Sequence, residues 1–119
     1  MKKLLLVSTM TVLTLTSIAN APKANAANIA QSICEYVAAD DKKRMRSFLK
    51  TNKLKIRSIF SGIQCNGKNL LAFASAKGSV KTGSLMISKL PKKTVSANLT
   101  VLQTGSQPLI DAANKRVSS

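Results

Sequence analysis

The sequence predicts a mostly α-helical domain of two stacked helix-turn-helix pairs, held by one disulfide and followed by an irregular tail. Three observations carry that expectation. Apolar residues recur at helical spacing in four segments separated by polar breaks, as in helices that each bury one face. The layout of the first helix pair returns at an offset of 38 positions, Ala39 falling on Lys77. The chain of 119 residues also has only two cysteines, Cys34 and Cys65.

Residues 1–26 read as an export signal. Lys2 and Lys3 form a charged start, Leu4 to Ala19 is an apolar run diluted with Ser and Thr, and two Ala-x-Ala sites follow at Ala19–Ala21 and Ala24–Ala26. Cutting at the first site would leave Pro22 just after the scissile bond, where its locked φ and missing N–H fit poorly, so cleavage is expected after Ala26. An uncleaved anchor is the alternative. Spanning a bilayer takes about 20 mostly apolar residues, more than this Thr-rich run offers. Loss of Lys2, Lys3 and Lys23 leaves 16 basic residues against four acids, a net charge of +12 for a mature chain from Ala27. A domain this small is marginal without a staple.

The elements follow in order. Asn28 is placed to cap a helix from Ile29 to about Ala39, with Ile29, Ile33, Tyr36 and Val37 on one face and Cys34 at its edge. Asp40 or Asp41 then caps a second helix, whose Met45, Phe48 and Leu49 form a narrow apolar stripe and which Asn52 stops. Lys53 to Gln64 is a structured connector, since Leu54 and Ile56 alternate as in a strand while Ile56, Ile59 and Phe60 keep helical spacing. Asn66-Gly67 is a turn signal beside Cys65. A third helix runs from about Lys68 to Lys77, with Leu70, Phe73 and Ala74 inward and Gly78 as a left-handed stop. Ser79 is placed to cap a fourth, carrying Val80, Gly83, Ile87 and Leu90 on one face and ended by Pro91. The helical domain is therefore expected over residues 27–91. Residues 92–119 read as a polar tail, with one strand where Val95, Ala97, Leu99 and Val101 alternate and a short helix from Pro108 to Lys115.

In an exported domain, two thiols usually end as one disulfide. Closing a loop of about 30 residues stabilises the fold by roughly 3 kcal/mol. A redox pair is the competing reading, but such pairs usually sit as Cys-x-x-Cys, and the chain has no histidine to polarise them.

The offset of 38 sets Cys34 opposite Ala72, Phe48 opposite Met86 and Leu49 opposite Ile87. The second unit, NGKNLLAFASAKGSVKTGSLMISKL, resembles an ankyrin repeat in its Asn-Gly turn, Leu-Leu pair, Ala-rich inner helix and inter-helix Gly. The Thr-Pro-Leu-His core of ankyrin is replaced by Asn69-Leu70-Leu71-Ala72. Stacked repeats normally need at least three units, and here there are two, which gives a disulfide a structural task. An ordinary four-helix domain remains the alternative architecture.

A second resemblance rests on Cys34, on Val37 through Arg46 (VAADDKKRMR), on Gly62 through Gly67 (GIQCNG) and on Leu70 through Ala74 (LLAFA). Over roughly Ile33 to Leu90 these residues resemble a small family of exported bacterial proteins, the domain of unknown function family 3718. The resemblance implies a periplasmic domain and a Cys34–Cys65 bridge, with no assigned activity.

The absence of histidine removes His-based triads, the commonest general base and most zinc sites. Asp40 and Asp41 are adjacent, but neighbouring helical residues point about 100° apart, and a helix cap accounts for them. No glycine opens a GxxxxGK phosphate loop. No enzyme activity, cofactor or metal is expected. The main surface feature is the run from Lys42 to Arg57, with eight basic residues and no acid inside it. Lys42, Lys43, Arg44, Arg46 and Lys50 are the expected contacts for an anionic lipid, an anionic polysaccharide or an acidic envelope protein. Nucleic acid is disfavoured by the export address and by aromatics that read as core. The function expected is thus a periplasmic or secreted, non-enzymatic binding or accessory module. The alternative is an ankyrin-like protein-interaction module in the same compartment.

Overall fold

The computed structural model describes residues 21–119, with side chains from residue 27 onward. Of the expected signal over residues 1–26, residues 1–20 lie outside the described residues. Residues 21–26 form part of a helix, so α1 runs Ala21–Ala38 rather than starting at a cap on Asn28. Ala is the best helix former, and the Ala-rich stretch before Asn28 contains no break after Pro22. Ile33 and Val37 are fully buried, and Tyr36 meets Phe48 edge to face at 5.6 Å.

α2 runs Lys42–Thr51, and Asp41 caps it by accepting a hydrogen bond from the Arg44 backbone N–H at 3.0 Å. Met45 and Leu49 are its buried residues, and Asn52 ends it. In the connector helical spacing wins over alternation: α3 (Ile56–Ile59) and a 3₁₀ turn (Phe60–Gly62) bury Ile56. A two-residue hairpin follows, β1 (Gln64–Cys65) and β2 (Lys68–Asn69). Its turn puts Asn66 at φ 56° and Gly67 at φ 75°, the left-handed pair that Asn-Gly adopts at least cost. α4 (Leu70–Lys77) is capped by the Asn69 side chain, which accepts from the Ala72 N–H at 2.8 Å, and stops at Gly78 with φ 69°. α5 runs Val80–Lys89.

The two helix pairs stack, α1 against α4 and α2 against α5. Asp40 links the first pair with φ 56°, and Gly78, 38 positions on, links the second with the same left-handed turn. After each link the chain makes the same wrap of hydrogen bonds, Asp41 N–H to Tyr36 C=O and Ser79 N–H to Ala74 C=O, both at 2.8 Å. Cys34 and Cys65 are bonded to each other, tying α1 to the hairpin.

The tail is helical rather than irregular: the short helix expected over Pro108–Lys115 forms as part of α8 (Gln107–Ser118), and α6 (Lys92–Ala97) and α7 (Leu99–Leu102) stand where a strand and irregular chain were expected. No strand forms at Val95–Val101. Val95, Asn98 and Leu102 are buried while Val101 is 43% exposed, so the buried positions follow helical spacing rather than alternation. Leu109, Ile110 and Ala113 join the same apolar core as Ile33 and Met45. The tail therefore belongs to the domain, with α8 against α5 and α7 against α4, and it supplies a third layer to the stack. Gly83 lets Leu109 approach α5, since a Cβ there would lie 2.6 Å from a Leu109 methyl. The Arg116 guanidinium donates to the Leu90 carbonyl at 3.0 Å, closing the C-terminal end of α5.

Candidate functional site

Ser79, expected to cap α5, turns away and donates its hydroxyl hydrogen bond to the Val37 carbonyl at the end of α1. Asp40 takes its place from the neighbouring helix pair. One carboxylate oxygen accepts from the Thr82 N–H at 2.8 Å and from the Thr82 hydroxyl at 3.1 Å, and the other from the Lys81 N–H at 3.3 Å. Of the two aspartates, Asp41 thus caps α2 and Asp40 caps α5. This cross-capping fixes the N-terminus of α5 beside that of α2.

The five expected contact residues, Lys42, Lys43, Arg44, Arg46 and Lys50, are all exposed on α2. The structure divides them. Lys42, Lys43 and Arg46 line a depression of about 550 Å³ at the N-terminal ends of α2 and α5, together with Asp40, Asp41 and Lys81. Arg46 and Lys50 line a second, of about 450 Å³, at the C-terminal ends of the same helices. Arg44 lines neither. It lies on the opposite flank of α2, with its guanidinium 3.5 Å from the Asp41 carboxylate.

The second depression brings in cations from three elements. Lys55 and Arg57 come from the connector and α3, and Lys89 from the last turn of α5. No carboxylate lines it. Its floor is Leu49, Leu54, Ile56 and Leu85. Lys81 and Lys89 escaped the sequence reading because they stand alone among neutral neighbours in α5. The signal for them was the spacing Lys81, Leu85, Lys89, three residues at i, i+4 and i+8 on one helix face.

The other carboxylates are engaged locally, Glu35 with Gln31 and Asp111 with Gln107. Among the described residues no three His, Cys, Asp or Glu side chains cluster as metal ligands would. No described helix is long and apolar enough to cross a membrane.

No curated protein and no solved structure matches the chain, and the likeness to ankyrin repeats is not shown. A family model does match, over residues 33–97, from the buried Ile33 of α1 to the end of α6. That span takes in both bridged cysteines, the hairpin and both helices that carry the cations, and it places the chain in the family of proteins of unknown function DUF3718.

Proposed function

We propose that this chain is an exported, non-enzymatic binding or accessory module of the bacterial cell envelope, and that its partner is anionic. The observation that supports this reading is the second depression, where Arg46, Lys50, Lys55, Arg57 and Lys89 meet with no carboxylate among the lining residues. Like charges brought together from α2, the connector, α3 and α5 repel one another, and a negative partner relieves that cost. The Cys34–Cys65 bridge fits an oxidising compartment. The test is retention on anionic vesicles and on an anionic polysaccharide matrix, each against a neutral counterpart, at low and high salt. Retention on the anionic surfaces alone, released by salt, is the expected result. Equal retention on neutral surfaces, or none on any, refutes the reading.

A further inference from the structure

We propose that the two depressions are one furrow that holds a linear polyanion, a flexible chain of regularly spaced phosphate-type charges, between α2 and α5. The proposal rests on the anionic-partner reading and narrows it to one ligand geometry. The two helices run side by side in the same direction, since their first turns meet at one depression and their last turns at the other. Arg46 lines both depressions and joins them. One wall carries Lys42, Arg46 and Lys50, at i, i+4 and i+8, with Lys43 beside them. The other carries Lys81 and Lys89, also eight residues apart. At a helical rise of 1.5 Å per residue each wall spreads its charges over about 12 Å, one cation about every 6 Å along α2.

Two features select a chain over a lipid surface. Cations on both walls converge on the line between the helices, where a thread fits and a planar bilayer reaches only the rims. Of the four floor residues, Leu49, Ile56 and Leu85 are only 8%, 3% and 9% exposed, so half-buried Leu54 is the one floor side chain left to meet an acyl chain. Two acids, Asp40 and Asp41, line the N-terminal end of the furrow, where their oxygens accept from helix N–H groups and Thr82 and Asp41 pairs with Arg44, so the stretch without a carboxylate is the C-terminal half around Arg46, Lys50 and Lys89.

The probe is a medium-length linear polyphosphate, titrated into the full chain by calorimetry. With the six cations of the two helix walls engaged, a slope of log K against log salt near −4 is expected, so raising salt from about 50 to about 200 mM weakens binding about 300-fold. Removing three of them in Lys42→Gln/Arg46→Gln/Lys50→Gln should lower the slope to about −2. A charge-matched control, Lys68→Gln/Lys93→Gln/Lys115→Gln, changes exposed cations outside the furrow and should leave slope and affinity near the parent values. Equal weakening by both triple variants overturns the furrow, since net charge alone then explains binding. Orthophosphate bound as tightly at equal phosphate concentration overturns the chain geometry. Retention on anionic vesicles without polyphosphate binding also sinks the furrow while leaving the broader reading standing. Binding to neither removes both.

Discussion

Replacing Asp40 separates three tasks that the structure assigns to one residue. Its backbone is left-handed, with φ 56°, its carboxylate caps α5, and it accepts from the hydroxyl of Thr82, a fully buried residue. In Asp40→Ala the cap is lost, at about 1 kcal/mol. The Thr82 hydroxyl loses its acceptor, at about 1 kcal/mol more. Alanine also occupies the left-handed region, at about 1 kcal/mol. The total is roughly 3 kcal/mol, a large part of the stability of a small domain. Asp40→Gly removes only the backbone cost, so about 2 kcal/mol should remain. Asp40→Asn tolerates the backbone and keeps the single oxygen that serves both Thr82 groups, but loses the charge near the helix N-terminus and the acceptor of the Lys81 N–H, about 1 kcal/mol together. Urea unfolding followed by far-UV circular dichroism should rank the variants Asn, Gly, Ala in order of increasing damage. An alanine variant within about 0.5 kcal/mol of the parent, as for an ordinary surface site, refutes the cross-cap. So does an asparagine variant as damaged as alanine. Ser79→Ala should be non-additive with Asp40→Ala, because Ser79 and Asp40 join the same two helix ends from opposite sides.

Three further outcomes follow from the packing. Cys34→Ser/Cys65→Ser should lose roughly 3 kcal/mol in the same urea assay, and reductant should lower the parent midpoint while leaving that of the variant unchanged. Gly83→Ala should lose about 1–2 kcal/mol even though alanine favours the helix, because the new methyl must displace fully buried Leu109, and Leu109→Ala should recover part of the loss when combined with it. Ending the chain after Ser106 removes Leu109 and Ile110 from the core, about 2 kcal/mol each, and cooperative unfolding should disappear; an unchanged midpoint would exclude α8 from the core.

The helix pairs were legible because their signals are local. Asp41 caps at short range, Gly78 and Asn66-Gly67 take the φ values that their residue types favour, and the buried residues of α2 recur every four positions. The tail was misread because its apolar residues satisfy two periods at once. Val95, Ala97, Leu99 and Val101 alternate, yet Val95 and Leu102, seven apart, also fit a helical interval, and both are buried, one in α6 and one in α7. Packing decides between such periods: α4 and α5 leave an apolar side that helices α7 and α8 cover. In sequence the shortage of repeats points to the disulfide, whereas the end that two stacked pairs expose is closed by the tail helices. Asp40 was half legible. Its residue type announced a cap, but which helix it caps depends on the stacking of α5 beside α2.

The candidate site shows why a run of charges in sequence is not a patch in space. Lys42, Lys43, Arg44 and Arg46 are nearly consecutive, but the turn of about 100° per residue carries Arg44 round to the far flank, where it meets Asp41. Lys81 and Lys89 are distant in sequence and belong to the same furrow as Lys42, Arg46 and Lys50. What joins them is the offset of 38: equivalent outer helices of neighbouring units lie side by side, so Lys43 and Lys81, 38 apart, both border the first depression. The acids obey the same logic. Asp40 and Asp41 stand beside the basic run, and a plain charge count would set them against it. Their oxygens are instead hydrogen-bonded to helix N–H groups and Thr82, and Asp41, at the N-terminal end of the furrow, also pairs with Arg44, which lines neither depression. The fold thus holds its nearest carboxylates on helix ends at one end of the furrow and leaves the cations of the other end with no acid among them.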